Sequence, residues 1–470
     1  MKETYNKIHY DKLWCPSGDP FVDAGGYALK FLSEQFPEKD ILELIEFATN
    51  IYVDRWDSKI NPVFLNSNIT QPAFKPDKKK SETNAFFEGL IEERIPFVSG
   101  CCRVLGIETS LYPAGRNLSV LSGSGTFVNF HHSFEEGLML SKEALIRYHF
   151  LPLGCELLQG NICVISSNNP QTAELYVKKC CARTLMDIGQ NASTGILKNE
   201  SRATSTAIFR FIDKLLSDYS NYNGRESLSL YHFTNFGASP DLKIYTLPFQ
   251  AFYFYILSQR NEYKSQWNHF VSHYYKTSEL KDVRFDDVTA MYIGTEKKEE
   301  KMVEETQYKY WYNVIYDSLL KGKTITKEIR TWSKDHTFNL QLFAHYLILI
   351  QNMKNETLKK LNEIADFILT NTPETDVEKV ITRLNGINSA FLLRRFILKV
   401  VEKNYAIGND EAIVTVEDYT DYLFPEGSSW METRDVLLIY IYQKLHAKNI
   451  KVDIVESDNN DEDYFADDAE

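Results

Sequence analysis

This chain has no apolar stretch long enough to cross a bilayer. Its most hydrophobic runs, 247–257 and 338–353, are short and are interrupted by Gln250, Asn339, Gln341, His345 and Gln351. Residues 1–14 lack the apolar centre of a secretion signal. Cysteine is sparse and poorly spaced, with seven in all and Cys101-Cys102 and Cys180-Cys181 as adjacent pairs. An odd set of this kind does not make a secreted disulfide framework. It also lacks the paired ligands, about two to four residues apart, of a structural zinc site. The expectation is a cytoplasmic protein with reduced, buried thiols, no bound metal and no membrane partner.

Catalytic signatures are missing too. There is no HExxH, no GxSxG, no kinase set and no dinucleotide fingerprint. Ser122-Gly123-Ser124-Gly125 lacks the Gly-Lys-Ser/Thr ending that holds phosphate and magnesium in a P-loop. Acid pairs such as Asp286-Asp287 are ordinary surface chemistry. No enzyme and no cofactor are expected from this pattern. The sharpest rival is a metal-dependent nuclease or other hydrolase using His131 and His132, although no acidic ligand accompanies them at ligand spacing. A protein-interaction scaffold is the blander alternative.

What is present is the composition of a globular protein, 43% hydrophobic and 25% charged. The formal net charge of −13 argues against nucleic acid until its distribution is considered. Residues 456–470 hold eight acids and no base, and without them the charge is −5. Local rather than total charge attracts phosphates, so a mildly acidic body is compatible with a basic channel. The tail itself reads as a disordered, solvated segment. Aromatics make up 13% of the chain, enough to fill cores and also to supply stacking surfaces.

Residues 121–170 are the densest stretch of polar signals. A glycine loop, Gly123-Ser124-Gly125, feeds a short strand ending in Asn129, His131 and His132. Residues 134–150 have helical spacing, with Leu138, Leu140, Leu145 and Ile146 apolar and Lys142 and Arg147 polar. A turn at Gln159-Gly160 precedes a β-branched strand, Ile162 to Ile165, stopped by Asn168-Asn169-Pro170. Upstream, Asp23 is placed to cap a helix beginning near Ala24, and a second helix starts near Lys39. The irregular stretch 61–84 holds Lys75, Lys78, Lys79 and Lys80, which reads as a solvated loop or a site of backbone phosphate contact. Strands are expected over 228–236 and 242–246, and a helix over 204–219.

The run Glu296-Lys297-Lys298-Glu299-Glu300-Lys301 reads as a domain boundary. Its codons are all purines, so it also reads as an internal ribosome-binding site before Met302, from which a separate small subunit would be made. Past it the pattern is almost purely helical, with apolar stripes in 357–369, 375–385 and 389–403 and helix starts at Thr415 and Ser429. The fold expected is α+β: a mixed region with short sheets over 1–300, an all-helical bundle over 301–455, and the acidic tail. Arg395, Lys399 and Lys403 recur every four residues, as do Lys379 and Arg383, giving basic helix edges. These edges read as solvated faces or as a rail for phosphates.

Four segments in order resemble one family, the large subunit of type I-B CRISPR interference complexes (Cascade), in its Cst-type or CXXC–CXXC group. They are Gly18-Asp19-Pro20-Phe21-Val22-Asp23-Ala24-Gly25, Asn66-Ser67-Asn68-Ile69-Thr70-Gln71-Pro72, residues 123–130, and Leu151-Pro152-Leu153-Gly154-Cys155 with 160–169. The paired CxxC motifs behind the family's name are absent, and no zinc is expected. The resemblance implies a non-catalytic subunit beside a guide RNA held by backbone and handle-binding subunits. It implies reading of a short protospacer-adjacent motif (PAM) on double-stranded target DNA, help in opening the R-loop, and docking of a helicase-nuclease. On that basis Ser124, Asn129, His131, His132, Lys142 and Arg147 are the expected groove-side contacts, with Asn129 reading a base edge. Lys75, Lys78, Lys79, Lys80, Lys379, Arg383, Arg395, Lys399 and Lys403 are the expected backbone contacts.

Overall fold

The computed structural model describes residues 1–120, 138–218, 226–237 and 241–450. The fold is mixed α+β and divides into two compact units. The first joins Met1–Phe252 with Tyr275–Leu320, and the second joins Tyr253–Tyr274 with the chain from Lys321 onward.

In the first unit, helix α1 (Pro20–Gln35) is started by Asp19, not Asp23. The Asp19 carboxylate accepts from the amides of Phe21 and Val22, and Pro20 stands at the first helical position. Helix α2 (Ile41–Asn50) begins with a reciprocal capping box between Asp40 and Glu43. Helix α3 (Pro76–Ile91) takes up the lysine run expected as loop, because Pro76 opens it and Thr83, Phe87, Leu90 and Ile91 give it a buried face. Strands β1 (Val98–Cys101), β2 (Glu108–Ala114) and β3 (Leu138–Ser141) form a small antiparallel sheet in that order. The single helix expected over 134–150 therefore starts late, as α4 (Lys142–Phe150). Residues 138–141 pair with β2, and the Ser141 hydroxyl caps α4 by accepting from the Ala144 amide.

A hairpin follows, β4 (Glu156–Leu158) to β5 (Asn161–Ser167), turning at Gln159 and Gly160, both at positive φ. Asn169 then caps α5 (Pro170–Gly189). With β6 (Leu197–Lys198), α6 (Thr204–Asp218), β7 (Leu228–Thr234) and β8 (Asp241–Leu247) the main sheet is complete, in order β6-β4-β5-β7-β8. All its neighbours are antiparallel except β4 and β6. Helices α1 and α5 pack on β5 and α6 packs on β7, while Phe21 of α1 meets Tyr231 and Phe233 edge-on.

The chain continues through α7 (Phe249–Ser258) and α8 (Lys264–Ser272), then β9 (Tyr275–Lys276), β10 (Lys281–Asp286), β11 (Met291–Glu296) and β12 (Glu299–Val303). Short α9 (Glu305–Tyr308), β13 (Tyr312–Asn313) and α10 (Val314–Leu320) end the first unit. Here the expected boundary is corrected. Glu296 to Lys301 is no linker but the tip of the β11–β12 hairpin, with Lys297 and Lys298 at positive φ and Lys301 paired to Glu296 at 2.7 Å.

Among the described residues the regular structure of the second unit is helical: α11 (Thr326–Ser333), α12 (Leu340–Leu349), α13 (Asn355–Thr370), α14 (Glu374–Asn385), α15 (Ala390–Ala406), a π-helical turn (Asp418–Leu423) and α16 (Trp430–Ala447). Helix α14 begins one residue before the expected Thr375, with Pro373 in the capping position and no side-chain cap. Helix α16 is the axis, buried on nearly all sides and packed against α11, α13, α14 and α15. Segment 253–274 belongs to this unit. Phe254 meets Tyr346 at 5.7 Å between ring centres, and Phe270 meets Trp332 at 5.7 Å and Phe338 at 5.3 Å.

Candidate nucleic-acid interface

In the first unit, a cleft of about 870 Å³ is bordered by α5, α6 and residues 192–201. Helical periodicity builds its rim. Lys179 and Arg183 are one turn apart on α5, and Arg210 and Lys214 one turn apart on α6. Leu157, Tyr176, Cys180 and Phe211 supply an apolar floor. With Lys59 and Lys198 the lining holds six cations against three acids, Glu156, Asp187 and Glu200. The cleft is thus locally positive on a chain whose total is negative.

Its acids are already engaged. Glu156 accepts from Asn199 Nδ2 at 2.8 Å and from the Tyr176 hydroxyl at 3.2 Å, and Asp187 pairs with Arg183 at 2.9 Å. Among the cations, Lys179 pairs with Asp218 at 2.6 Å and Arg210 with Asp213 at 3.3 Å. Lys198 and Lys214 are exposed and make no side-chain ion pair or hydrogen bond among the described residues. The groups on the floor are poor nucleophiles, because burial pushes the Cys180 thiol and the Tyr176 phenol well up and keeps both protonated. What the cleft is equipped to do is hold an anionic chain against an apolar floor.

Of the residues expected from the sequence, Ser124, Asn129, His131 and His132 lie outside the described residues. Lys142 and Arg147 are corrected. Both face the interior, Lys142 at 2% exposure paired to Glu93 at 2.7 Å and Arg147 at 0% paired to Asp23 at 2.5 Å. The Arg147 guanidinium also donates to the carbonyls of Lys12, Cys15 and Val22. Helix α4 is buried throughout, so its polar residues had to find partners inside the protein.

The lysine run divides by function. Lys75 and Lys78 are exposed, Lys78 lying over the Phe74 ring at 4.2 Å. Lys79 donates to Ser58 at 2.8 Å, and Lys80 pairs with Asp54 at 3.1 Å and lies 3.8 Å from Asp77. These last two hold α3 to the chain before it.

The second unit carries the other expected cations. Lys379 pairs with Asp376 at 2.8 Å, Arg383 lies over the Phe396 ring at 5.7 Å, and Lys403 donates to the carbonyl of Asn371. Arg395 and Lys399 are exposed and make no ion pair or hydrogen bond among the described residues. They share α15 with exposed Phe391, Leu398 and Tyr405. Cations alternating with exposed rings are the surface chemistry that binds single-stranded nucleic acid.

The cleft cations were not singled out from the sequence, although the signal existed. Lys179/Arg183 and Arg210/Lys214 have the same four-residue spacing that marks α14 and α15. Compared with family models, with curated proteins and with solved structures, the chain matches none.

Proposed function

We propose that this protein is a non-enzymatic nucleic-acid-binding subunit of an RNA-guided effector complex. The observation that carries this reading is the cation excess in the α5–α6 cleft of an otherwise acidic chain. The exposed Arg395/Lys399 edge with its neighbouring rings adds a second surface of the same chemistry. The finer role rests on the four sequence segments. They support a type I-B CRISPR large subunit that joins a guide-RNA particle, reads the PAM, helps open the R-loop and docks a helicase-nuclease in the cytoplasm.

Two measurements test the two levels. Replacing Lys59, Lys198 and Lys214 together by Glu should weaken binding of a labelled single-stranded oligonucleotide by at least tenfold. It should also flatten the dependence of affinity on salt, since each lost phosphate contact removes about 0.7–0.9 from the logarithmic slope. Unchanged affinity and slope would overturn the cleft as the interface. For the finer role, Asn129→Ala should relax PAM preference when the protein is reconstituted with the guide-RNA particle. An unaltered preference, or metal-dependent cleavage by the purified protein, would remove that assignment.

A further inference from the structure

Asn235 pins two turns of the first unit together. It is fully buried, and its Nδ2 lies 2.8, 3.3 and 3.2 Å from the carbonyl oxygens of Val63, Arg116 and Ser119. The Leu65 amide also donates to the Arg116 carbonyl at 2.9 Å. A cavity of about 120 Å³ is lined by these turns and by helices α3 and α4. Its walls are the rings of Phe64, Phe86, Phe87 and His149 together with Leu118 and Leu145. His149 is neutral near pH 7, because burial holds its pKa down at about 4. No Lys, Arg, Asp or Glu lines the cavity among the described residues. The pinned turns hold the space open, so a ligand entering it meets preformed walls.

Two amides supply the polar chemistry. Asn68 is half-buried and its Nδ2 donates to the Glu82 carbonyl at 3.3 Å, which leaves its Oδ1 as an acceptor. Asn117 is exposed and makes no side-chain hydrogen bond among the described residues, so its amide can donate. Asn68 also belongs to the segment 66–72 singled out in the sequence, to which the two cationic surfaces give no role.

We propose that this cavity takes a single pyrimidine base, from an oligonucleotide strand or a free nucleoside, against its phenylalanine rings and the amides of Asn68 and Asn117. Size sets the ring count. A dry cavity of about 150 Å³ lined by Leu, Ile and Phe holds benzene, so this one admits one six-membered ring and is overfilled by a two-ring purine. Aromatic walls offer faces and edges to the base. A pyrimidine presents a donor beside an acceptor, N3–H beside O4 in thymine or N4–H beside N3 in cytosine. That pair complements Asn68 Oδ1 and the Asn117 amide. Walls without ionic side chains suit the uncharged base and leave the phosphate in solvent. An oligonucleotide source presupposes the nucleic-acid reading above, whereas a nucleoside source does not.

The test uses the full-length protein. Thymidine and deoxyadenosine are first compared by saturation-transfer NMR, and thymidine alone should receive saturation from the protein. Binding of labelled dT10 and dA10 is then measured, with dT10 expected to bind at least fivefold tighter. Leu118→Trp fills the cavity, and Asn117→Ala removes an exposed amide that no packing depends on. Each should abolish the thymidine signal or cut it severalfold, and should bring the dT10/dA10 ratio below twofold at an unchanged salt slope. An absent thymidine signal, an equal one from deoxyadenosine, or a preference that survives both variants would overturn the pocket. The Lys59/Lys198/Lys214 replacement should weaken both oligonucleotides alike and keep their ratio. If it leaves affinity unchanged while the ratio persists, the cleft falls and the pocket stands. If neither oligonucleotide binds, the nucleic-acid reading falls and the thymidine signal decides the pocket.

Discussion

Arg147 shows how a cation that looks available in sequence is consumed in the fold. Its guanidinium reaches three backbone carbonyls and Asp23, whose carboxylate also accepts from the Ser17 amide and hydroxyl and from the Gly18 amide. Gly25 makes this possible, because a Cβ there would lie 1.9 Å from the Arg147 carbonyl oxygen. Two segments behind the family resemblance are therefore occupied with structure. The first ties α1 to α4, and in the second Ser67 and Thr70 exchange hydrogen bonds in a buried turn. Arg147→Met should cost about 3–5 kcal/mol in chemical denaturation by stranding the Asp23 charge, without the selective effect on salt dependence expected of the cleft lysines.

His149 sets a pH dependence at the same scale. It is 5% exposed, and its Nε2 lies 3.1 Å from the Thr49 hydroxyl, which itself donates to the Ile45 carbonyl. Burial holds its pKa down at about 4, against an ordinary value of 6.5. Between those values the unfolded chain takes up a proton that the folded chain does not. Stability from this group is therefore whole above pH 6.5 and falls with acidification, by up to roughly 3 kcal/mol near pH 4. His149→Gln should flatten that part of the acid limb in unfolding measurements made between pH 4 and 7. A limb as steep as the wild type's would assign the acid sensitivity to other groups.

At the scale of elements, local signals were read well where one helix or hairpin decided the outcome. The β4–β5 turn, the strand stop at Asn169-Pro170 and helix α6 all follow from residues within a few positions of one another. The helix starts expected at Asp23 and Thr375 are shifted by near neighbours, Asp19 and Pro373, and the other departures come where distant chain intervenes. Residues 138–141 form a strand because β2 lies beside them, and the purine-coded run before Met302 is a hairpin because β10 completes its sheet. Met302 lies within β12, so a product started there loses β11 and also the 253–274 segment. It would lack Phe254, Trp267 and Phe270, which contact Tyr346, Trp332 and Phe338 directly or through one another. Expressed alone, residues 302–470 should therefore bind a hydrophobic dye and melt without a cooperative transition, since the vacated core is worth several kcal/mol per large side chain. A sharp transition matching the full chain would show that a small subunit started at Met302 is structurally self-sufficient.

Across the whole molecule, composition and periodicity determined that the chain is globular, α+β and helical toward its C-terminal end, because those properties follow from which residues are apolar and at what interval. The turn at Gln159-Gly160 and the stop at Asn169-Pro170 were legible for the same reason, being set by near neighbours, whereas the caps expected at Asp23 and Thr375 fall elsewhere. Which cations remain free was decided only by tertiary structure. Lys142 and Arg147 carry the same charge as Lys198 and Lys214, yet the first two ride on a helix enclosed on every side and the last two on open rims. The segment 253–274 gives no sign in its own pattern that it completes a bundle whose other helices begin about fifty residues later. Nor can spacing along a chain bring Phe270 beside Trp332 and Phe338. Those placements depend on long-range packing, in which the partners of a residue are set by the folded path rather than by its neighbours in sequence.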